Sequence, residues 1–352
     1  MRRVTVDPMN CTVIAQGGAL WEDVDRAAAE HGLATVGGVV NHTGVGGLTL
    51  GGGYGWLSGQ YGLVVDNLLS VKLVAADGRI WTASVKENPD LFWAIRGAGH
   101  NFGVVTEFKI QAFEQKNEVY AGLLMFTPDD LEQVIKFSNT LVDDSTADGR
   151  SAIYCFLAVP PGGSEPTILT AVVSNTSEEE SKRRFAPLLD LKPVMNTAAM
   201  IPYSSVNGML NSIAGHGDRK SMKGFSYMLP LRVEFARTML NELSTIIKRE
   251  PDLVKSFVVF EFLHLNKVAN VSRTAMSFAN RGLARNGTVW MWWTDPMNDS
   301  KARAHGRYLK GLTTELEDSQ KNKKLASDSV VVYSNFVESE YLFRNLRFGK
   351  LT

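Results

Sequence analysis

The stretch from Gly37 to Gly55 reads Gly-Gly-Val-Val-Asn-His-Thr-Gly-Val-Gly-Gly-Leu-Thr-Leu-Gly-Gly-Gly-Tyr-Gly. Glycine has no Cβ, so such a chain can take positive φ and let a ligand touch its main chain. Successive backbone N–H groups form concavities that bind anions. Ordering so many glycines is entropically costly, and the interleaved Val45, Leu48 and Leu50 would hold the loop against something. Two readings fit: amides facing a large anionic or planar cofactor, or a tight turn between strands. We take the first. Neither glycine cluster fits G-x-G-x-x-G, and no G-x-x-x-x-G-K-[ST] loop exists. The six histidines form no H-E-x-x-H or Cys/His ligand pattern, which argues against a catalytic metal. No G-x-S-x-G elbow is present.

Other residues could do chemistry, each with a plainer reading beside it. His42 and His100 interrupt glycine stretches; they suit hydrogen-bonding loop positions better than acid or base roles, though histidine titrates near neutrality. Glu87 and Asp90 read as capping charges. Cys11 and Cys155 sit in apolar, strand-like surroundings and read as buried thiols; two cysteines are not a disulfide framework.

The 352 residues carry 37 basic and 37 acidic side chains, so the formal net charge is zero. That balance gives no electrostatic support for a nucleic-acid or membrane-surface partner. No apolar run approaches the roughly 18 residues of a membrane span. The first residues lack the apolar core of a signal peptide, which makes a cytoplasmic location the default expectation. At 44% hydrophobic and 21% charged, the composition is that of a globular protein, and the length suggests two domains.

The elements that must position these groups follow from periodicity. Thr12–Gln16 reads as a strand, and Trp21, Val24, Ala28 and His31 share a helix face that ends at Gly32. Asp77-Gly78 between Leu69–Ala75 and Arg79–Ala83 reads as a hairpin. Asn88-Pro89-Asp90 opens a helix with Asn88 as N-cap, and a strand resumes at 102–110. Near Gln115 the glycines give way to longer strands and polar helices. Strands are expected at 119–126, 151–159, 167–173, 256–265 and 287–293, and helices at 127–142, 177–189, 234–249 and 301–316. The segment 196–225 has weak periodicity and reads as irregular. Strands alternating with helices, with antiparallel hints, indicate an α+β lobe.

Several motifs recur here in a fixed order. Gly17-Gly18 with Trp21 comes first, then Thr43-Gly44-Val45-Gly46-Gly47 and Gly51-Gly52-Gly53-Tyr54-Gly55. Tyr61-Gly62-Leu63 before Asp66-Asn67-Leu68 follows, then Asn88-Pro89-Asp90-Leu91-Phe92-Trp93 and Asn101-Phe102-Gly103-Val104-Val105. This series closely resembles the FAD-linked oxidases of the berberine-bridge-enzyme type, in the vanillyl-alcohol-oxidase superfamily with its PCMH-type flavin domain. The resemblance runs through the first third of the chain. It implies that Thr43, Gly44, Gly46, Gly47, Gly51, Gly52, Gly53 and Tyr54 wrap the flavin and its pyrophosphate, and that Val104 and Val105 reach the adenine end. Three departures stand out. The family's upstream Gly-Gly-His stretch, with the histidine to which flavin is often attached, is missing. Val40 occupies the position of the second, cysteinyl attachment, which leaves FAD non-covalent. The closing Asp-Pro-x-Asn segment is missing too, so the chain looks truncated at both ends.

The later part is similar to the family's substrate domain. Val289–Trp293 would be the strand facing the flavin, with Trp290 and Trp292 as pocket residues. Where some relatives carry a glutamate base, this chain has Thr294. Tyr333-Ser334-Asn335-Phe336 resembles a run that brings a tyrosine to the substrate, so Tyr333 is the candidate base or orienter, with Asn335 beside it in the pocket. A tyrosine base needs its pKa lowered by nearby positive charge, and Arg281 is a candidate source. The fold expected is a two-lobed α+β PCMH-type flavin fold. Residues 1–115 form the FAD-binding domain, 116–327 a substrate domain of antiparallel sheet and helices, and 328–352 a return segment to the flavin lobe. The resemblance implies an oxidoreductase passing hydride from a small alcohol or amine to FAD, reoxidised by oxygen, in secondary metabolism. The alternative is a catalytically inactive remnant that binds FAD weakly or not at all; a carbohydrate-binding protein is a more distant one.

Overall fold

A computed structural model describes residues 1–143, 148–321 and 333–336, with the side chains of 315–321 left aside. The order begins with β1 (Val4–Asp7), β2 (Thr12–Gln16), α1 (Trp21–Ala29), β3 (Leu33–Thr35), α2 (Val45–Leu50) and α3 (Ser58–Tyr61). Next come β4 (Leu68–Val74), β5 (Ile80–Ser84), α4 (Pro89–Ala98) and β6 (Val104–Glu114). These strands form one antiparallel sheet, ordered β1-β2-β6-β4-β5, with β3 also on β6. The Asp77-Gly78 hairpin forms as expected, with Gly78 at φ +81°.

The chain continues through β7 (Val119–Phe126), α5 (Leu131–Leu141), β8 (Ser151–Ala158), β9 (Thr167–Ser174), α6 (Glu178–Leu189), β10 (Met195–Asn196), β11 (Ala199–Ile201) and α7 (Tyr203–Val206). After these stand β12 (Arg219–Tyr227), α8 (Val233–Arg249), β13 (Phe257–Phe262), α9 (Asn266–Ala269), β14 (Arg285–Trp293) and α10 (Asp299–Lys321). The second sheet is antiparallel, with order β10-β7-β9-β8-β13-β14-β12 and β11 alongside β7.

In the second sheet, β8 and β13 are buried on both faces, which is why they read as apolar runs rather than alternating ones. Ile153, Cys155, Leu157, Val258, Phe260 and Phe262 point to a core shared with Leu131, Phe185, Leu243 and Leu309 from the helices. Tyr154, Phe156, Phe257 and Val259 point the other way, into a core continuous with the first sheet.

Three expectations are corrected. The glycine stretch is not a loop throughout: Val45–Leu50 closes into a helical turn. Asn88 does precede the helix, but its side chain donates to the Thr82 carbonyl instead of capping. The end of the segment read as irregular is a nine-residue strand, β12; its alternation of Met222, Gly224 and Ser226 with Lys223 and Phe225 carries too few apolar residues to signal it. The return segment 328–352 lies outside the described residues except for 333–336, which pack against the glycine stretch.

Candidate functional site

Between the two sheets lies a cavity of about 540 Å³, within the range typical of small-molecule sites. Its near wall is the segment from Val39 to Leu48 with Tyr54, its far wall is β8, β12, β13 and β14, and Leu210, Ile213 and Ala214 roof it. Tyr333, Asn335 and Phe336 close one side.

On the near wall, a Cβ added to Gly44 or Gly47 would meet nothing within 4 Å. Main chain is therefore bared to the cavity there. Gly51, Gly52 and Gly53 do something else. A Cβ on each would collide with Asn335, Phe278 and Val64 respectively, and Gly52 and Gly53 hold positive φ of +124° and +85°. They let the protein pack on itself behind the cavity and do not line it. Gly46 approaches the Gly17 carbonyl. Val104 is exposed, Val105 is in the core, and neither lines the cavity.

Tyr333 is buried with its hydroxyl accepting hydrogen bonds from the Gly53 N–H at 2.9 Å and the Asn335 amide at 2.7 Å. Asn335 also donates to the Leu48 carbonyl. Burial pushes the Tyr333 hydroxyl above its ordinary value, against the pull of those two donors. The expectation that Arg281 supplies a positive charge to Tyr333 is corrected: its guanidinium is bidentate on Asp66, at 2.9 and 2.6 Å.

Of the two tryptophans, Trp290 lines the cavity, while Trp292 lies further along the strand. The Trp292 indole donates to Asp218 at 2.8 Å and carries the Lys220 ammonium 4.0 Å from its ring centre. Thr294 sits outside the cavity, its N–H donating to Asp252. His42 reaches the cavity with its ring 4.2 Å from that of His216, which comes from the roof segment. Burial, then the neighbouring imidazole, holds His42 below its ordinary pKa. His100 is exposed.

Sequence reasoning missed Glu261. It stands on β13 facing the cavity, and is 5% exposed. Desolvation pushes its carboxyl up to about 8, although Asn286 hydrogen-bonds to it. Its Oε2 has no hydrogen-bond partner among the described residues, and neither has Asn286 Oδ1. Asn286 also hydrogen-bonds the Tyr54 hydroxyl. The signal was present: one carboxylate in the run Phe257-Val258-Val259-Phe260-Glu261-Phe262, where a charge is expensive unless it serves a purpose.

The residues present suit a flavin ring. The near wall offers bared main chain at Gly44 and Gly47, and the far wall offers apolar surface. His42 Nε2 and Glu261 Oε2 are buried polar atoms lacking partners among the described residues.

Residues 1–84 match the family model described as an FAD binding domain. The FAD-linked oxidoreductase pgmH of Aspergillus terreus is 36% identical over 312 residues, covering 86% of this chain and 62% of that relative. Its counterpart in A. terreus strain NIH 2624 is 32% identical over 347 residues, covering 95% of this chain and 69% of the relative. The chain thus spans about two thirds of their length. Among solved structures, a variant of berberine bridge enzyme in complex with (S)-reticuline shares the fold, with a TM-score of 0.77 and 18% identity. That match covers 96% of this chain and 68% of the other.

Proposed function

The chain belongs to the family of FAD-linked oxidoreductases, and we propose from that premise that the cavity oxidises a small organic alcohol or amine against FAD. When bound, the flavin supplies a two-electron sink that takes hydride from the substrate carbon. Oxygen is the acceptor that returns the cofactor to its oxidised form, and a role in secondary metabolism accords with the fungal relatives. Val40 lines the cavity and offers no nucleophile, so position 40 would not form a covalent bond to the cofactor.

The observation that carries this reading is a buried carboxyl across a cavity from glycines whose main chain is bare. Gly44 and Gly47 would admit the ring, and Thr43 and Tyr54, which line the same cavity, would border it. Glu261 takes the proton from the substrate hydroxyl or ammonium as the carbon–hydrogen bond breaks. A base is most effective when its pKa lies near the working pH, and a carboxyl at about 8 meets that condition where an ordinary one would not. Tyr333 stays protonated. Its oxygen accepts from Gly53 and Asn335, which fixes the hydroxyl in place, and its role is to orient.

Two variants test the proposal. Gly47 has ordinary φ and open space ahead of it, so Gly47→Leu folds but fills the cavity. FAD titrated into the protein should quench the flavin's fluorescence, and Gly47→Leu should abolish the quench. In the FAD-loaded protein, anaerobic flavin bleaching by a panel of alcohols and amines should speed up as pH rises towards about 8, because the carboxylate form is the active one. Glu261→Gln should slow it by about 10²–10⁴-fold and erase that limb. FAD bound equally by Gly47→Leu, or an unchanged pH limb in Glu261→Gln, would sink the reading.

A further inference from the structure

The far wall of the cavity is graded from aromatic to acidic, and strand register sets the gradient. β13 pairs with β14 through Phe257↔Trp290 and Val259↔Thr288. It pairs with β8 through Val259↔Phe156 and Glu261↔Tyr154, and β12 adds Met222 opposite Trp290. Since side chains alternate, Phe257, Val259 and Glu261 all face the cavity. The outer row is Met222, Trp290 and Phe257. The middle row is Thr288, Val259 and Phe156, and the inner row is Glu261 with Tyr154. Glu261 lies four steps along the strand from Phe257, about 13 Å at a strand's rise of about 3.3 Å per residue.

The outer row is an aromatic platform. The Phe257 and Trp290 rings are stacked on each other, 18° apart with centres 5.6 Å apart. Phe156 meets Phe257 edge-on at 5.9 Å. A further flat ring can join such a cluster by its face or its edge. Polar groups thin out towards the outer row. The Thr288 hydroxyl accepts from the Trp290 indole at 3.0 Å, and Glu261 keeps one oxygen without a hydrogen-bond partner among the described residues. A molecule with hydroxyls along its length would leave them unpaired against Val259, Phe156, Phe257 and Trp290, which is costly.

We propose that the substrate is a flat, largely apolar molecule with its oxidisable hydroxyl or amine at one end. Its rings pack against Phe257 and Trp290, its reacting end meets Glu261, and these two aromatics determine specificity. This rests on the redox reading of the same cavity for the role of the reacting end, while the platform itself stands on geometry.

The test is calorimetric titration, with and without FAD, using naphthalene-2-methanol and the disaccharide cellobiose as probes. The bicyclic alcohol should bind and cellobiose should not. Trp290→Ala should weaken the alcohol by about tenfold or more, and Trp290→Phe, which keeps a ring on the platform, by much less. Melting curves identify any variant that has lost its fold; Phe257→Leu then supplies the same comparison. Cellobiose binding as tightly as the alcohol, no binding of the alcohol, or equal binding by folded Trp290→Ala and Phe257→Leu variants would overturn the proposal. A protein that takes up the alcohol but never FAD would instead overturn the redox reading.

Discussion

Among the described residues, Glu261 is one of two buried carboxyls that share a chemical device. Asp25 on α1 accepts from the Asn207 amide at 2.7 Å, and burial pushes it up to about 7. In each pair one carboxyl oxygen and the asparagine carbonyl oxygen lack partners; a proton on the acid would satisfy both at once. The folded chain therefore keeps a proton on Asp25 that the unfolded chain releases above its ordinary pKa of 3.8. Stability falls as pH rises between those two values and levels off above about 7, a loss of about 4 kcal/mol at most for Asp25. Asp25→Asn replaces the proton with an amide donor, so the variant should melt higher than the parent at about pH 8 and little differently at about pH 4. Thermal melts at both pH values check this, and an unchanged difference between them would count against it.

At the scale of elements, glycines divide into those that bare the main chain and those that permit contact. Gly97 ends α4 at φ +128°, and a Cβ there would collide with the Phe278 backbone. That closeness lets the Phe278 N–H donate to the Arg96 carbonyl at 2.9 Å, and Ser277 N–H to Trp93. Gly97→Ala should cost about 2 kcal/mol or more in urea unfolding, whereas Gly78→Ala, at positive φ but in open space, should cost only about 1 kcal/mol. Sequence alone cannot sort these roles. Thr43-Gly44-Val45-Gly46-Gly47 and Gly51-Gly52-Gly53 look alike in composition, yet only Gly44 and Gly47 of those glycines line the cavity. What separates them is the side chain that arrives from far away, Phe278 or Asn335. The strands were legible where periodicity or unbroken apolar runs marked them, as in β7 and β13. β12 was not, because Lys220, Ser221, Lys223 and Ser226 break its pattern. Trp290 was legible from the motif; Glu261 was not, because its value depends on which of two faces it takes.

Across the whole molecule, contacts between the first hundred residues and the second sheet's segments hold the cavity walls apart at a fixed spacing. Arg281 and Asp66 form such a strut, with side-chain exposures of 1% and 10%. The Trp93 indole donates to the Thr274 carbonyl at 2.8 Å, and the Ser277 hydroxyl to Ala94 at 2.7 Å. Removing one half of a buried ion pair strands the other. Arg281→Met should therefore destabilise by about 3–5 kcal/mol in chemical unfolding, and Asp66→Asn added to it should recover part of that. A loss below about 1 kcal/mol would show the pair to be solvated.

The burial of β13 on both faces has a consequence for folding fidelity. A one-residue slip of β13 would exchange its two sides, driving the Glu261 carboxyl into the dry, helix-covered layer and turning Phe260 towards the cavity. Burying a carboxyl among apolar side chains is costly, so the misregistered state is penalised by the same side chain that places an acid in the cavity. The acid of the cavity and the guard against misthreading are thus one position.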